Sequence, residues 1–147
     1  MVHIKKILYP TDFSSYSNQA YFHALALAET HGASLTIAYV YSPNVDQGDR
    51  SFWRSQLEQI HPGNPRIAVR NVFLEGDPAE QLVRYSTDAG MDIIVMGTHG
   101  RTGVDRLLMG SVAEQVLRGA PCSVMIVKLS KGVPHSPQPD VAVTVDG

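Results

Sequence analysis

Cysteine is nearly absent from this chain: Cys122 is the only one among 147 residues, so no internal disulfide can form. A lone thiol suits a reducing compartment, and a cytoplasmic location is expected. No run of apolar residues approaches the length of a bilayer span, so no membrane partner is expected. The opening "MVHIKKILYP" has two lysines and a short apolar run, without the long apolar region and small-residue cleavage site of a signal peptide. An excess of positive charge is also missing. The formal net charge is -2, which excludes the broad basic field that holds nucleic acid. The six histidines show no H-E-x-x-H spacing, so no metal site built of protein ligands is expected. No Cys-His-Asp set is legible for nucleophilic catalysis, and no catalytic residue is assigned. Two phosphate motifs are absent as well: no Gly-Lys-Ser/Thr closes a P-loop, and no G-x-G-x-x-G occurs.

What the chain has is alternation. "IKKILYP" (4–10), "SLTIAYVY" (34–41), "RIAVRNVFL" (66–74), "DIIVMG" (92–97) and "SVMIVK" (123–128) read as strands. The fourth is short and continuously apolar, which suits a strand buried on both faces. Helical patterns separate them. From Ser17 to His31, Ala20, Ala24, Leu27 and Ala28 share one face, and Gly32 follows as a stop. The segment 49–60 reads as a further helix. In "GDPAEQLVRYSTDAG", Asp77 can cap, Pro78 suits the first helical position and Glu80 completes a capping-box spacing, with Gly90 ending the helix. "SVAEQVLRG" repeats the grammar, with Ser111 as cap, Glu114 three residues on and Gly119 as stop. Such alternation predicts one doubly wound α/β domain, a parallel sheet with helices on both faces. The domain is expected over residues 1–130, with the Pro-rich segment 131–147 as a tail in which "VAVTV" (141–145) is a small strand candidate.

The candidate site lies in "MGTHGRTGVDRLLMGSV", residues 96–112, which holds four glycines between the fourth strand and the fourth helix. In open parallel sheets, ligands bind beyond the carboxyl ends of the strands, where the strand order reverses. A helix N-terminus there offers unpaired N–H groups and the positive end of its dipole. Glycines let such a backbone approach an anion and adopt positive φ. Gly97 and Gly100 are expected to shape the turn, and Gly110 and Ser111 to present N–H groups and a hydroxyl to a phosphate. The alternative is that the glycines merely turn the chain and Ser111 merely caps the helix. Arg101 is a candidate phosphate partner, whereas His99 reads as a solvated loop residue and Trp53 as core or dimer packing. Asp12, in "YPTDF" at the end of the first strand, can accept from a ribose hydroxyl or help hold a metal ion beside phosphates; its alternative is an N-cap for the first helix.

"KKILYPTDFS", "EGDPAEQLVRYSTDAGMDIIVMGTHGRTG" and "RLLMGSVAEQVLRGAPCSVMIVK" resemble the universal stress protein family across nearly all of residues 2–129. The spacing G-x-x-G, nine residues, G-[ST] resembles the signature of its nucleotide-binding branch. The resemblance implies a five-stranded sheet ordered 3-2-1-4-5, which makes the first and fourth strands neighbours. It implies binding of ATP, with AMP and ADP as the other candidate ligands, together with Mg²⁺. Carried over, Pro10, Thr11 and Asp12 contact adenine and ribose, Val40 contacts adenine, and Gly97, Gly100, Arg101, Gly110, Ser111 and Val112 surround the phosphates. The resemblance also implies frequent homodimers; the strand at 123–128, the edge of that sheet order, is the expected contact. The expected role is a stress regulator in which nucleotide occupancy or slow turnover alters the dimer or its partners. The rivals are an ATP-hydrolysing or nucleotidyl-transferring enzyme of the same fold, and a nucleotide-free interaction protein.

Overall fold

The computed structural model describes residues 3–98 and 110–128. Five strands and four helices alternate strictly. They are β1 (Lys6–Pro10), α1 (Ser15–His31), β2 (Ser34–Tyr41), α2 (Arg50–Glu58), β3 (Val69–Glu75), α3 (Pro78–Asp88), β4 (Ile93–Gly97), α4 (Ser111–Gly119) and β5 (Ser123–Val127). Every strand pairing is parallel and the order is β3-β2-β1-β4-β5. The expected doubly wound sheet and its strand order are both found.

The period-two rule divides the core in two. On β2, Leu35, Ile37, Tyr39 and Tyr41 join the core that includes Ala20, Ala24 and Ala28 of α1 and Leu57 of α2. Ala38 and Val40, from the same strand, join the opposite core with Ala79 and Leu82 of α3 and Ala113 and Val116 of α4. β4 divides likewise, Ile93 and Val95 to one side, Ile94 and Met96 to the other. This explains its unbroken apolar sequence. A helix covers each side, and neither face of the strand meets water.

The helix ends follow local chemistry. Ser14 caps α1 by accepting from the Ser17 N–H at 3.2 Å, and Gly32 closes it in the left-handed region at φ 62°. α1 thus starts two residues ahead of the expected Ser17, because the capping hydroxyl lies upstream. Asp49 caps α2 through the Phe52 N–H, and Asp77 caps α3 through the Glu80 N–H with Pro78 behind it, as expected. At α4 the expectation fails. Gly110 is the N-cap and makes no side-chain cap bond; Ser111 is the first helical residue. Gly119 is the last helical residue rather than the stop, and Ala120 is the C-cap.

Two strands start later than their apolar patterns suggest. The pairing of β1 with β2 begins at Lys6 opposite Ser34, because β2 starts only after the Gly32 cap and Ala33. β3 begins at Val69 because Asn64 turns the chain before it. Its side-chain oxygen accepts from the Arg66 N–H at 2.9 Å and its carbonyl from the Ile67 N–H at 3.2 Å. Where β1 and β4 begin, Asp92 accepts from the N–H groups of Lys5 and Lys6 at 2.8 and 2.9 Å, which ties the two strands together. Among the described residues no helix is long and apolar enough to cross a membrane.

Two stability predictions follow from packing and burial. Ile94→Ala, at a fully buried site, is expected to cost about 2–5 kcal/mol. Removing the α3 cap with Asp77→Ala is expected to cost about 1 kcal/mol; urea unfolding of both variants should give that order. Tyr9 is buried, and burial pushes its phenol above its ordinary value of 10.0, with hydrogen bonding to Thr11 and Ser17 pulling it back. A folded-state value above the unfolded one favours the fold while the phenol is neutral. That contribution is complete below the unfolded value and is lost as pH rises through the alkaline range, by up to about 1.4 kcal/mol per pH unit. Tyr9→Phe, which forfeits the bond from the Tyr9 hydroxyl to the Ser17 carbonyl, should flatten the stability profile above pH 10, measured by urea unfolding at stepped pH.

Candidate functional site

β1 is flanked by β2 on one side and β4 on the other. The chain runs outward from it in both directions, so a crevice opens past the ends of β1 and β4. The residues around that crevice come from three strand ends and one helix start.

Pro10 ends β1, and the next residue still holds the neighbouring strand: the Thr11 N–H donates to the Ala38 carbonyl at 2.8 Å. Thr11 is buried, its hydroxyl 3.3 Å from that of Ser17, and its Oγ1 accepts from the Phe13 N–H at 3.0 Å. Asp12 Oδ1 accepts from the Ser14 N–H at 3.0 Å. Asp12 is therefore not the N-cap of α1, a role held by Ser14; its carboxylate braces the turn that leads there. Two successive side chains each take the N–H two residues on, which folds this short segment back over its own backbone.

The bend between them is at Phe13, whose φ is 67°. A bulky residue in the left-handed region costs about 1–3 kcal/mol and needs surroundings that impose it. Those surroundings are aromatic. The Phe13 ring centroid is 5.0 Å from that of Tyr39 and 5.6 Å from that of Trp53, stacked on the latter. Tyr39 and Trp53 stack on each other at 5.4 Å. Pairs of this kind contribute about 0.5–1.5 kcal/mol each beyond simple burial, enough to offset the backbone cost. Sequence reasoning passed over Phe13. The available signal was a turn between a strand end and a helix cap, "TDFS", with no glycine to take the left-handed position.

Across the crevice, Gly97 is the last residue of β4. The Gly110 N–H donates to the Thr98 carbonyl at 2.7 Å, so the start of α4 is fastened to the end of β4. Gly110 has φ -66° and ψ 158°, a conformation open to any residue. Positive φ is thus not the reason for a glycine at 110 or, in the extended backbone of β4, at 97. The Glu114 N–H takes the Gly110 carbonyl at 3.0 Å and opens the helical ladder. The N–H groups ahead of it have no intrahelical partner and sit at the positive end of the helix dipole. Ser111 is exposed there, and Val112 packs partly against the core beside α4. Val40, near the end of β2, lies on that same face of the sheet, 9% exposed. Pro10, Thr11, Asp12, Val40, Gly97, Gly110, Ser111 and Val112 are accordingly all at the carboxyl ends of the strands or at the helix start facing them. Gly100 and Arg101, together with His99, lie outside the described residues.

Other singled-out residues take structural places. Trp53 packs among Phe13, Tyr39 and Phe52, and its indole N–H donates to the Gln47 carbonyl at 2.6 Å. Cys122 is half-buried rather than buried; desolvation pushes its thiol up, and the charge of Asp92 adds to that, which opposes thiolate formation. Among the described residues no group of three or more His, Cys, Asp or Glu side chains could hold a metal ion.

Known proteins share this fold. A universal stress protein of Methanocaldococcus jannaschii is 34% identical over 142 residues, which cover 86% of this chain and 84% of that protein. A universal stress protein solved in complex with cAMP superposes with a TM-score of 0.67 at 23% identity, over 86% of this chain and 98% of that one. The universal stress protein from Archaeoglobus fulgidus, solved in complex with dAMP, superposes with a TM-score of 0.63 at 16% identity, over 87% of this chain and all of that one. At those identities the two structures share its fold. The family model described as the universal stress protein family matches residues 3–128, from ahead of β1 to just past β5. The chain belongs to the universal stress protein family.

Proposed function

We propose that this chain binds an adenine nucleotide, ATP in the first place, in the crevice past β1 and β4, and that occupancy or slow turnover regulates its dimer or its partners in a stress response. The observation that carries this reading is the bond from the Gly110 N–H to the Thr98 carbonyl. It sets the N-terminus of α4 directly after β4 and beside the end of β1. Unpaired N–H groups, a helix dipole and a glycine without a side chain then converge where a phosphate can be held. The two solved relatives that hold cAMP and dAMP support the adenine class.

Each residue has a proposed part. The N–H groups of Ser111 and Val112 and the Ser111 hydroxyl take phosphate oxygens, with Gly97, Gly100, Arg101 and Gly110 around the same group; the Gly110 N–H, expected to face the phosphate, is instead spent on the Thr98 carbonyl. The bland role for Ser111 is gone, since it caps nothing. Asp12, next to Thr11 and Pro10, takes the ribose hydroxyls, and Val40 offers apolar surface to the base. An ion at this site would be carried by the nucleotide phosphates, with Asp12 as the candidate carboxylate. The nucleotide-binding domain in this reading is 1–130, and 131–147 is an appended tail; its "VAVTV" segment lies outside the described residues. β5 is an edge strand with Val124, Met125 and Ile126 half-buried, and a second copy pairing antiparallel about a two-fold axis is the occupant proposed for it.

Acid release of small molecules from freshly purified protein, followed by their identification, tests the reading directly, and an adenine nucleotide is the expected finding. Gly110→Val is expected to fold, because its backbone conformation suits any residue, yet to lose most of its affinity for ATP in calorimetric titration. Unchanged affinity in the folded variant overturns the phosphate cradle. Ser111→Ala should lose about 0.5–1.5 kcal/mol, or about two- to tenfold, in affinity while the thermal midpoint stays in place. Asp12→Asn keeps an oxygen for the Ser14 N–H and should weaken adenosine as well as ATP. If only Mg²⁺-dependent ATP binding falls, the carboxylate serves a metal rather than the ribose. Sedimentation of the wild type at micromolar concentration should give a dimer, and a monomer there ends the β5 assignment.

A further inference from the structure

We infer that Phe13 is a positioning residue for the nucleotide site and that α2 clamps it through Trp53, an inference that rests on the nucleotide reading above. The argument starts from a conflict. The chain reverses at Phe13 with φ 67°, a position that glycine fills cheaply and phenylalanine does not. A residue that merely turned the chain would not need a ring. This ring is held between Tyr39, a buried residue of the central sheet, and Trp53, a residue of α2. Phe13 directly follows Asp12, and the turn bonds on either side of it run from its own N–H to Thr11 and from the Ser14 N–H to Asp12. The direction of the Asp12 carboxylate is therefore fixed by a backbone bend, and that bend is fixed by a stack two elements away in sequence. Trp53 is itself anchored by its bond to the Gln47 carbonyl. Three residues before it on α2, Arg50 donates through Nε and Nη2 to the two carboxylate oxygens of Glu75 at the end of β3, at 2.7 and 2.6 Å. The segment 42–49 and α2 thus stand behind the ligand-facing turn, and what loosens them should loosen Asp12.

Trp53 is the only tryptophan in the chain, so its fluorescence reports this stack alone. Two measurements on the full chain separate the possibilities. The first needs no ligand: amide exchange at Phe13 and Ser14, followed by NMR, in wild type, Trp53→Ala, Trp53→Phe and Phe13→Leu. Trp53→Ala and Phe13→Leu should speed exchange at these two amides by about tenfold or more while Ile94 stays protected, whereas Trp53→Phe retains a ring and should restore protection. A general loss of stability would speed all amides together. The second titrates AMP and ATP by calorimetry and by Trp53 fluorescence. The indole signal should change on binding, and Trp53→Ala, a change outside the proposed contacts, should weaken both ligands by about tenfold. Phe13→Gly, which relieves the backbone cost but deletes the ring, should weaken them too. Protection that persists at Phe13 and Ser14 in Trp53→Ala overturns the clamp, as does loosened exchange with unchanged affinity. A wild type that binds no adenine nucleotide, with exchange responding as described, overturns the nucleotide reading and leaves the clamp standing.

Discussion

The parallel pairing of β1 with both β2 and β4 is the constraint from which the rest of the structure follows. Register sets Ile7 beside Leu35 on one side and Ile93 on the other, so β1 is buried on both faces and along both edges. A strand so enclosed has no route to its neighbours except crossovers, and right-handed crossovers send successive helices to opposite faces once the chain reverses direction across the sheet. α1 and α2 therefore cover one side and α3 and α4 the other. The same reversal opens a crevice beyond β1 and β4. No side chain creates that crevice; it is a consequence of strand order.

On its described α4 side the crevice presents a helix start. α4 begins there with a glycine N-cap that makes no side-chain bond and has an ordinary φ, and its first serine is exposed. A helix start built for stability alone would use its serine as cap, as α1 does with Ser14. Here the chain gives up that contribution and leaves both a hydroxyl and the leading N–H groups turned away from the core. Such a start suits an anion by geometry and dipole, the basis of the proposed phosphate cradle. The β1 side differs. Thr11 and Asp12 spend hydrogen bonds on their own turn, and the turn is stiffened by three aromatic rings. One wall of the crevice is thus a helix end fastened to a strand, and the other is a braced bend.

Much of this was legible from the residues. The apolar run at 92–97 announced a strand buried on both faces, and "GDPAE" announced the start of α3 to the residue, because Asp77, Pro78 and Glu80 act through bonds within one turn. β2 was read end to end, since Gly32 marks its approach and its alternation is long. Two of the misreadings share one cause. Ser111 and Glu114 have capping-box spacing, but the bond from the Gly110 N–H to the Thr98 carbonyl holds Gly110 just outside the helix, and its carbonyl opens the ladder instead. The partner is twelve residues away across a loop, where no local pattern reaches. Phe13 escaped for the same reason, its conformation being imposed by Tyr39 and Trp53.

The sequence by itself determined what short-range physics controls. It set which segments are strands and helices, where Asp77 and Gly32 bound them, the alternation that demands a parallel sheet, and the placing of a glycine cluster at a strand-to-helix junction. Only the tertiary structure decided which residue of "MGSV" enters α4, that Asp12 braces a turn instead of capping a helix, and that a phenylalanine occupies a left-handed bend. The first and the last are set by contacts between residues far apart in the chain, whereas Asp12 loses the cap to Ser14, two residues on. A local preference worth about 1 kcal/mol gives way when a distant hydrogen bond or ring stack of similar size acts on the same backbone.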